Sequence, residues 1–200
     1  MSDEASDVEE RIINATLACI EQYGLTGATI RNIAAIAGVN SAAINYYFRS
    51  KNTLIRRALD RSLQHAFDWG DFAASERATA RERLVHILTD LMAGARRFPR
   101  ISRAHLEGRD GHPEDREKAI AAIGRFLHQL ERDLEERGVH HTGGALRSRL
   151  LQVFSASILA AMSVPDLFNE YGYINVDDEV SRLDYVGTLV DRIFFTPERD

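Results

Sequence analysis

The chain has 200 residues, 44% hydrophobic and 28% charged, with four prolines and a formal net charge of −5. That length fits one large domain or a small one joined to a medium one, the composition is ordinary for a globular protein, and no uninterrupted apolar run approaches the length needed to span a bilayer. A single cysteine, Cys19, excludes an internal disulfide, and acidic rather than basic opening residues give no secretory signal, so the expected location is the cytoplasm.

Met1 to Asp7 is small, polar and acidic, and predicts a disordered tail. From Val8 to Tyr23 the apolar positions Val8, Ile12, Ile13, Leu17, Ile20 and Tyr23 keep helical spacing, closed by Gly24 and Gly27. Thr29 is a capping residue ahead of IRNIAAIA, whose Ile30, Ile33 and Ile36 are expected as the buried stripe. Gly38 supplies a left-handed turn, and Asn40 caps a further helix from Ser41 to Phe48. There Ile44, Tyr47 and Phe48 face inward and leave Ser41, Ala42, Ala43, Asn45 and Tyr46 outside. Small, hydrogen-bonding and almost uncharged side chains suit a helix in the DNA major groove. Asn45 is the expected adenine reader, and Ala42 and Ala43 the thymine-methyl contacts. Ser50 caps a fourth helix from Lys51, with Leu54, Ile55, Ala58 and Phe67 inside.

Charge supports this reading once its distribution is considered. Between Gly24 and Arg61, Arg31, Arg49, Lys51, Arg56, Arg57 and Arg61 stand against Asp60 alone, a local excess of five positive charges. From Ser62 onward acids outnumber bases by five. The basic block coincides with the turn and helix just described, as a DNA-contacting module requires.

Asp68 to Ala80 reads as a junction. Beyond it, helical spacing runs through Leu84, Ile87, Leu88, Leu91 and Met92, with Pro99 breaking the helix. A short helix from Ile101 to Leu106 follows. A long one then carries Ile120, Ile123, Phe126, Leu127, Leu130 and Leu134 on one side. Leu146 to Met162 is strongly apolar, and Val180 to Phe195 returns to helical spacing. The sum is an all-α chain of about nine helices. Its expected parts are a tail at 1–7, a helix-turn-helix domain at 8–50, a connecting helix at 51–70, and an effector-binding and dimerisation domain at 71–200.

The segment IINATLACIEQYGLTGATIRNIAAIAGVNSAAINYYFRSKNTL resembles the N-terminal helix-turn-helix of TetR/AcrR bacterial repressors. The resemblance rests on the aliphatic run ending in Tyr23-Gly24, on TIRNIAAIAGV, and on YYFRSKNTL, and covers about a quarter of the chain. It implies a homodimeric, ligand-responsive repressor on a palindromic operator, and an apolar candidate lining makes a small hydrophobic ligand the expected effector. The alternative is the same fold with DNA affinity lost or controlled by a partner protein. Thr29 and Lys51 match family positions that touch the DNA backbone. With Arg31, Asn40, Ser41, Ala42, Ala43, Asn45, Tyr46 and Tyr47 they make up the expected DNA-binding set. Two departures stand out: the N-terminal arm is acidic, with Asp3, Glu4, Asp7, Glu9 and Glu10, and the reading helix carries no basic residue.

For an effector, the expected lining is Leu88, Met92, Phe126, Leu130, Phe154, Ile158 and Met162, with His105 as a polar anchor. The same apolar residues equally describe a solid core. Cys19 reads as a small buried residue. His140 and His141 read as a solvated loop, and Asp177-Asp178 as a solvated helix face. No nucleophile triad, phosphate-cradling loop or metal-ligand spacing appears, so neither catalysis, a cofactor nor a metal is expected.

Overall fold

Thr29, Asn40, Ser50, Thr79 and Asp178 each stand just ahead of a helix and close its first turn. The side-chain oxygen of Thr29 accepts from the N–H of Asn32 at 3.2 Å, that of Asn40 from Ala43 at 2.8 Å, and that of Ser50 from Thr53 at 3.1 Å. Thr79 and Glu82 form a reciprocal capping box, and Asp178 accepts from Ser181 at 2.8 Å. Pro99, Pro113 and Pro165 open three other helices, where their missing N–H costs nothing.

The computed structural model describes residues 2–73, 79–108, 112–140, 144–162, 165–172 and 174–195. Among them the regular structure is helical: α1 (Ser2–Gly27), α2 (Ile30–Ala37), α3 (Ser41–Phe48), α4 (Lys51–Ala66), α5 (Trp69–Ala73), α6 (Ala80–Arg97), α7 (Pro99–Glu107), α8 (Pro113–Glu136), α9 (Ala145–Met162), α10 (Pro165–Glu170) and α11 (Glu179–Val190), with a π-helical turn over Asp191–Phe195. The nine expected helices are present. The short α5 and α10 are additional, each too brief to show a period in sequence.

The chain divides into two compact units, Met1–Ala66 with Arg100–Ile120, and Phe67–Pro99 with Ala121–Asp200. In the first unit α1 to α4 bury Ile12, Cys19, Ile20, Ile33, Ile44, Phe48 and Leu54, joined by Ile101 and Ala104 of α7. Each large apolar side chain fully buried there contributes about 1.5–3 kcal/mol. The carboxylate of Glu21 accepts from the backbone N–H of Arg100 and of Ile101, and Arg100 returns a bond to the Gln22 carbonyl at 2.6 Å. Thus an acid on α1 caps the first turn of α7, about eighty residues downstream.

The second unit buries Leu84, Leu88 and Met92 of α6 against Phe126 and Leu130 of α8, Phe154 of α9 and Val186 of α11. Around Phe126 stand Phe67, Trp69 and Phe72, with ring centroids 5.4, 5.8 and 5.5 Å away.

Several expectations need correction. Residues 2–7 are helical rather than a disordered tail, and acids at a helix start suit the positive end of its dipole. On α2 the buried residues are Ile33, Ala34 and Ala37, while Ile36 is 41% exposed. On α8 Ala119 and Ala122 turn inward and Ile120 outward. Phe67 follows α4 and packs on Phe126, so Leu59 and Leu63 complete the inner side of α4 instead. Residues 51–66 and 100–120 group with the N-terminal unit, whereas the expected boundaries separated them from it.

Candidate nucleic-acid interface

The reading helix is placed by two flanking turns. Gly24 breaks α1 with φ 75°, and Gly38 ends α2 in the left-handed region at φ 65°, ψ 36°. At Gly38 a Cβ would cost roughly 1–2 kcal/mol in backbone strain. Its N–H bonds back to the Ala34 carbonyl, and Asn40 then starts α3. Ile44 and Phe48 are buried, which fixes the rotation of the helix and leaves the opposite face to solvent.

That face carries Ser41, Ala42, Asn45 and Tyr46, all exposed, with Ala43 and Tyr47 half-buried beside them. Tyr46 is 81% exposed and meets Tyr47 edge-on at 5.3 Å. Among the described residues the Asn45 side-chain amide has no hydrogen-bond partner, so both its donor and its acceptor remain for another molecule. Asn40 is different, because its Oδ1 is committed to the cap and only its NH2 is free to donate outward. Thr29 accepts from Asn32 through Oγ1 and keeps its hydroxyl hydrogen for a second partner.

The basic block separates into two groups. Arg57 pairs with Glu9 and Arg61 with Glu10, each at 2.8 Å, and Arg57 also stacks over Phe48 at 5.4 Å. Arg31, Arg49, Lys51 and Arg56 have no ion pair among the described residues. The acidic arm therefore neutralises part of the block, and the charge available to phosphate is concentrated on the reading helix's immediate flanks. Sequence reasoning passed over Arg49 and Arg56 as contact residues. Their place in the basic run was visible, but only the fold shows which cations are already partnered.

The expected effector residues also divide. Leu88, Met92, Phe126, Leu130 and Phe154 are buried in the core of the second unit, with Ile158 and Met162 packed against them. His105 belongs to the first unit, where its Nε2 lies 3.4 Å from the Ser62 hydroxyl. Burial lowers its pKa to about 4 despite the nearby Asp60 and Asp115, so the ring is neutral at pH 7. A surface groove of about 580 Å3 runs along α8 to the start of α9 and includes Arg125, His128, Arg132 and Arg147. It is charged and open, and none of the expected effector residues lines it.

Cys19 is fully buried, and burial pushes its thiol up, away from the reactive thiolate. Asp177 and Asp178 are structural rather than merely solvated. Asp177 receives two bonds from Arg96, while Asp178 caps α11. His140 is exposed; His141 and positions 74–78 of the expected junction lie outside the described residues. Among the described residues no three His, Cys, Asp or Glu side chains converge on a common metal position, and no helix is long and apolar enough to cross a membrane.

A capped helix-turn-helix with an uncharged reading face, flanked by cations that have no ion pair among the described residues, fits the class of helical nucleic-acid-binding modules. Comparison with known proteins is specific to one family within it. Residues 12–58 match the profile of bacterial regulatory proteins, tetR family. The HTH-type transcriptional regulator BetI 1 of Chromohalobacter salexigens is 41% identical over 68 residues, 34% of this chain and 32% of that protein. The chain thus spans about a quarter to a third of the length of the curated relatives it matches. A TetR-like transcriptional regulator from Rhodococcus sp. RHA1 superposes with a TM-score of 0.66 at 17% identity, covering 92% of this chain and 94% of that one. FadR of Bacillus subtilis, in complex with stearoyl-CoA, gives 0.66 at 19% identity, covering 90% and 97%. Residues 12–58 thus carry a helix-turn-helix of the tetR-family kind, and the chain as a whole shares the fold of these solved regulators.

Proposed function

We propose that the chain is a homodimeric TetR-type repressor that binds a palindromic operator and leaves it when a small hydrophobic ligand binds. The observation carrying this is the outer face of α3, where among the described residues Asn45 presents an uncommitted amide amid small side chains and the flanking cations have no ion pair. An ordinary solvated helix would present charges there. Arg31 and Lys51 would hold the DNA backbone with Thr29, and Ser41, Ala42, Ala43, Asn45 and Tyr46 would meet base edges.

Dimerisation is supported by Leu151 and Leu159, each 54% exposed on α9, and by Val180 and Leu183 on α11. Apolar residues left outside on two neighbouring helices suit pairing across a two-fold axis. Two reading helices then meet half-sites about one helical turn or slightly more apart.

The apolar core of the second unit supports a hydrophobic effector, and the FadR structure shows stearoyl-CoA bound to a relative of this fold. Tenfold derepression needs the ligand to prefer the released state by about 1.4 kcal/mol, and operator DNA then weakens ligand binding by the same factor. Trp69 packs against Phe126, so its fluorescence reports occupancy of that core.

The test is selection of duplexes from a randomised pool by the purified protein, followed by titration of the winner with acyl-CoA thioesters. Enrichment of an inverted repeat and its release by ligand are expected. A pool that never enriches defeats the reading, and equal ligand affinity for free and DNA-bound protein removes the regulatory half.

A further inference from the structure

The turn that ends the reading helix is strained, and the strain falls on an arginine. Arg49 has φ 62° and ψ −33°, and it is the one non-glycine with positive φ among the described residues. The Ser50 N–H donates to the Phe48 carbonyl at 2.7 Å, closing a three-residue ring around Arg49. This is a γ-turn of the positive-φ kind, a rare and unfavourable conformation for any residue with a Cβ. Elsewhere the chain meets positive φ with glycine, at Gly24, Gly38, Gly108, Gly138 and Gly144. Here it does not.

The backbone shape itself has a structural reason. Phe48 must be buried on one side of the turn, and on the other Ser50 must cap α4. Those demands call for a left-handed residue at position 49, and glycine meets them without steric cost. They do not call for an arginine. The Arg49 side chain is exposed and has neither ion pair nor hydrogen bond among the described residues, so its five donors add nothing to the fold. Strain kept where a strain-free residue is available points to a role for the side chain in binding.

We propose that Arg49 is a further phosphate-binding residue of the nucleic-acid interface, its guanidinium aimed by the γ-turn at the end of the reading helix. This rests on the DNA-binding reading above. The Arg49 N–H is tied to the carbonyl of Asn45 at 3.0 Å, one turn back along the helix that carries the proposed base reader. The turn thus fixes the Cα–Cβ direction of the cation against the reading face, so less freedom is lost on contact. Guanidinium geometry suits two parallel bonds to one phosphate, which the ammonium of Lys51, two residues on, does not make.

The experiment uses the full-length protein and a fluorescent duplex selected from a randomised pool by the wild type, with anisotropy titrations from 50 to 200 mM KCl. Arg49→Gln keeps the Cβ and its strain but removes the charge. It is expected to bind about tenfold more weakly at ~0.1 M salt, with a salt slope shallower by roughly one and the same ranking of sequences. Arg49→Gly is expected to lose the same affinity while its Tm rises by roughly 2–4 °C as the strain is relieved. Arg49→Lys should keep the slope and lose part of the affinity. A selected duplex that Arg49→Gln binds with wild-type affinity and slope overturns this inference alone. Failure of the wild type to select any duplex overturns the DNA reading and this inference with it. A lower Tm for Arg49→Gly removes the strain argument.

Discussion

Arg83 is the most consequential charge in the second unit and the best place to test its construction. Its side chain is 2% exposed, lying on α6 within the fold. Nε donates to Asp133 at 2.6 Å, Nη1 donates to the Phe72 carbonyl at 2.7 Å, and the guanidinium stacks over Trp69 at 5.3 Å. Asp133 also accepts from Arg137 at 3.1 Å. Removing one partner of a buried pair costs about 3–5 kcal/mol, because the other charge is left in low dielectric. The two sides differ here. Arg83→Ala leaves Asp133 still bonded to Arg137, so the low end, about 3 kcal/mol, is expected. Asp133→Ala takes the carboxylate away from two guanidiniums, one of them fully buried, and belongs near 5 kcal/mol. Arg83→Met, which fills similar space without charge, should recover part of the loss seen in alanine. For a chain of this size each kcal/mol moves Tm by about 2–4 °C, so Arg83→Ala should melt about 6–12 °C lower. Urea titrations followed by circular dichroism and by Trp69 emission would measure all three variants, with Arg83→Ala also shifting the Trp69 spectrum in the native state. Equal losses for Arg83→Ala and Asp133→Ala, or a loss under 1 kcal/mol for both, would refute the reasoning.

Asn45→Ala is expected to cost about 1–3 kcal/mol on the selected duplex and to relax base preference at one position, whereas Lys51→Ala weakens all sequences alike and lowers the salt slope by roughly one. Anisotropy on matched and mismatched duplexes separates the two, and unchanged binding by Asn45→Ala means that the reading face is misplaced. His105 titrates at about 4 in the fold against about 6.5 unfolded, so between these values the unfolded chain binds the extra proton. Its contribution is therefore present in full above pH 6.5 and lost as pH falls toward 4, up to about 3 kcal/mol; a pH series of melts should show His105→Gln with a flatter slope there. Leu151→Glu with Leu159→Glu should convert the dimer to monomer in sedimentation at micromolar concentration, and a wild type already monomeric there would remove the proposed interface.

Some parts of this protein are decided within four residues of chain. Thr29, Asn40 and Ser50 cap their helices through bonds to the residue three positions on, and Gly38 turns the chain because glycine alone adopts that φ without cost. The inward Ile44 and Phe48 follow from helical period. These local features were legible from the sequence, and with them the all-α class and the outer face of α3. Other features are settled only by what packs against each element. Ile36 and Ile120 carry apolar side chains at helical spacing yet face outward, since neighbouring alanines occupy the packed side. Glu9 and Glu10 find Arg57 and Arg61 about fifty residues away, Glu21 caps α7, and His105 meets Ser62 rather than the apolar core of α6 and α8. The strain at Arg49 exists because buried Phe48 and the capping Ser50 constrain the turn from both sides, and no residue type announces that in advance. A hydrogen bond between near neighbours is written into spacing, but the partner of a charge, and the environment of a face, are chosen by the whole fold.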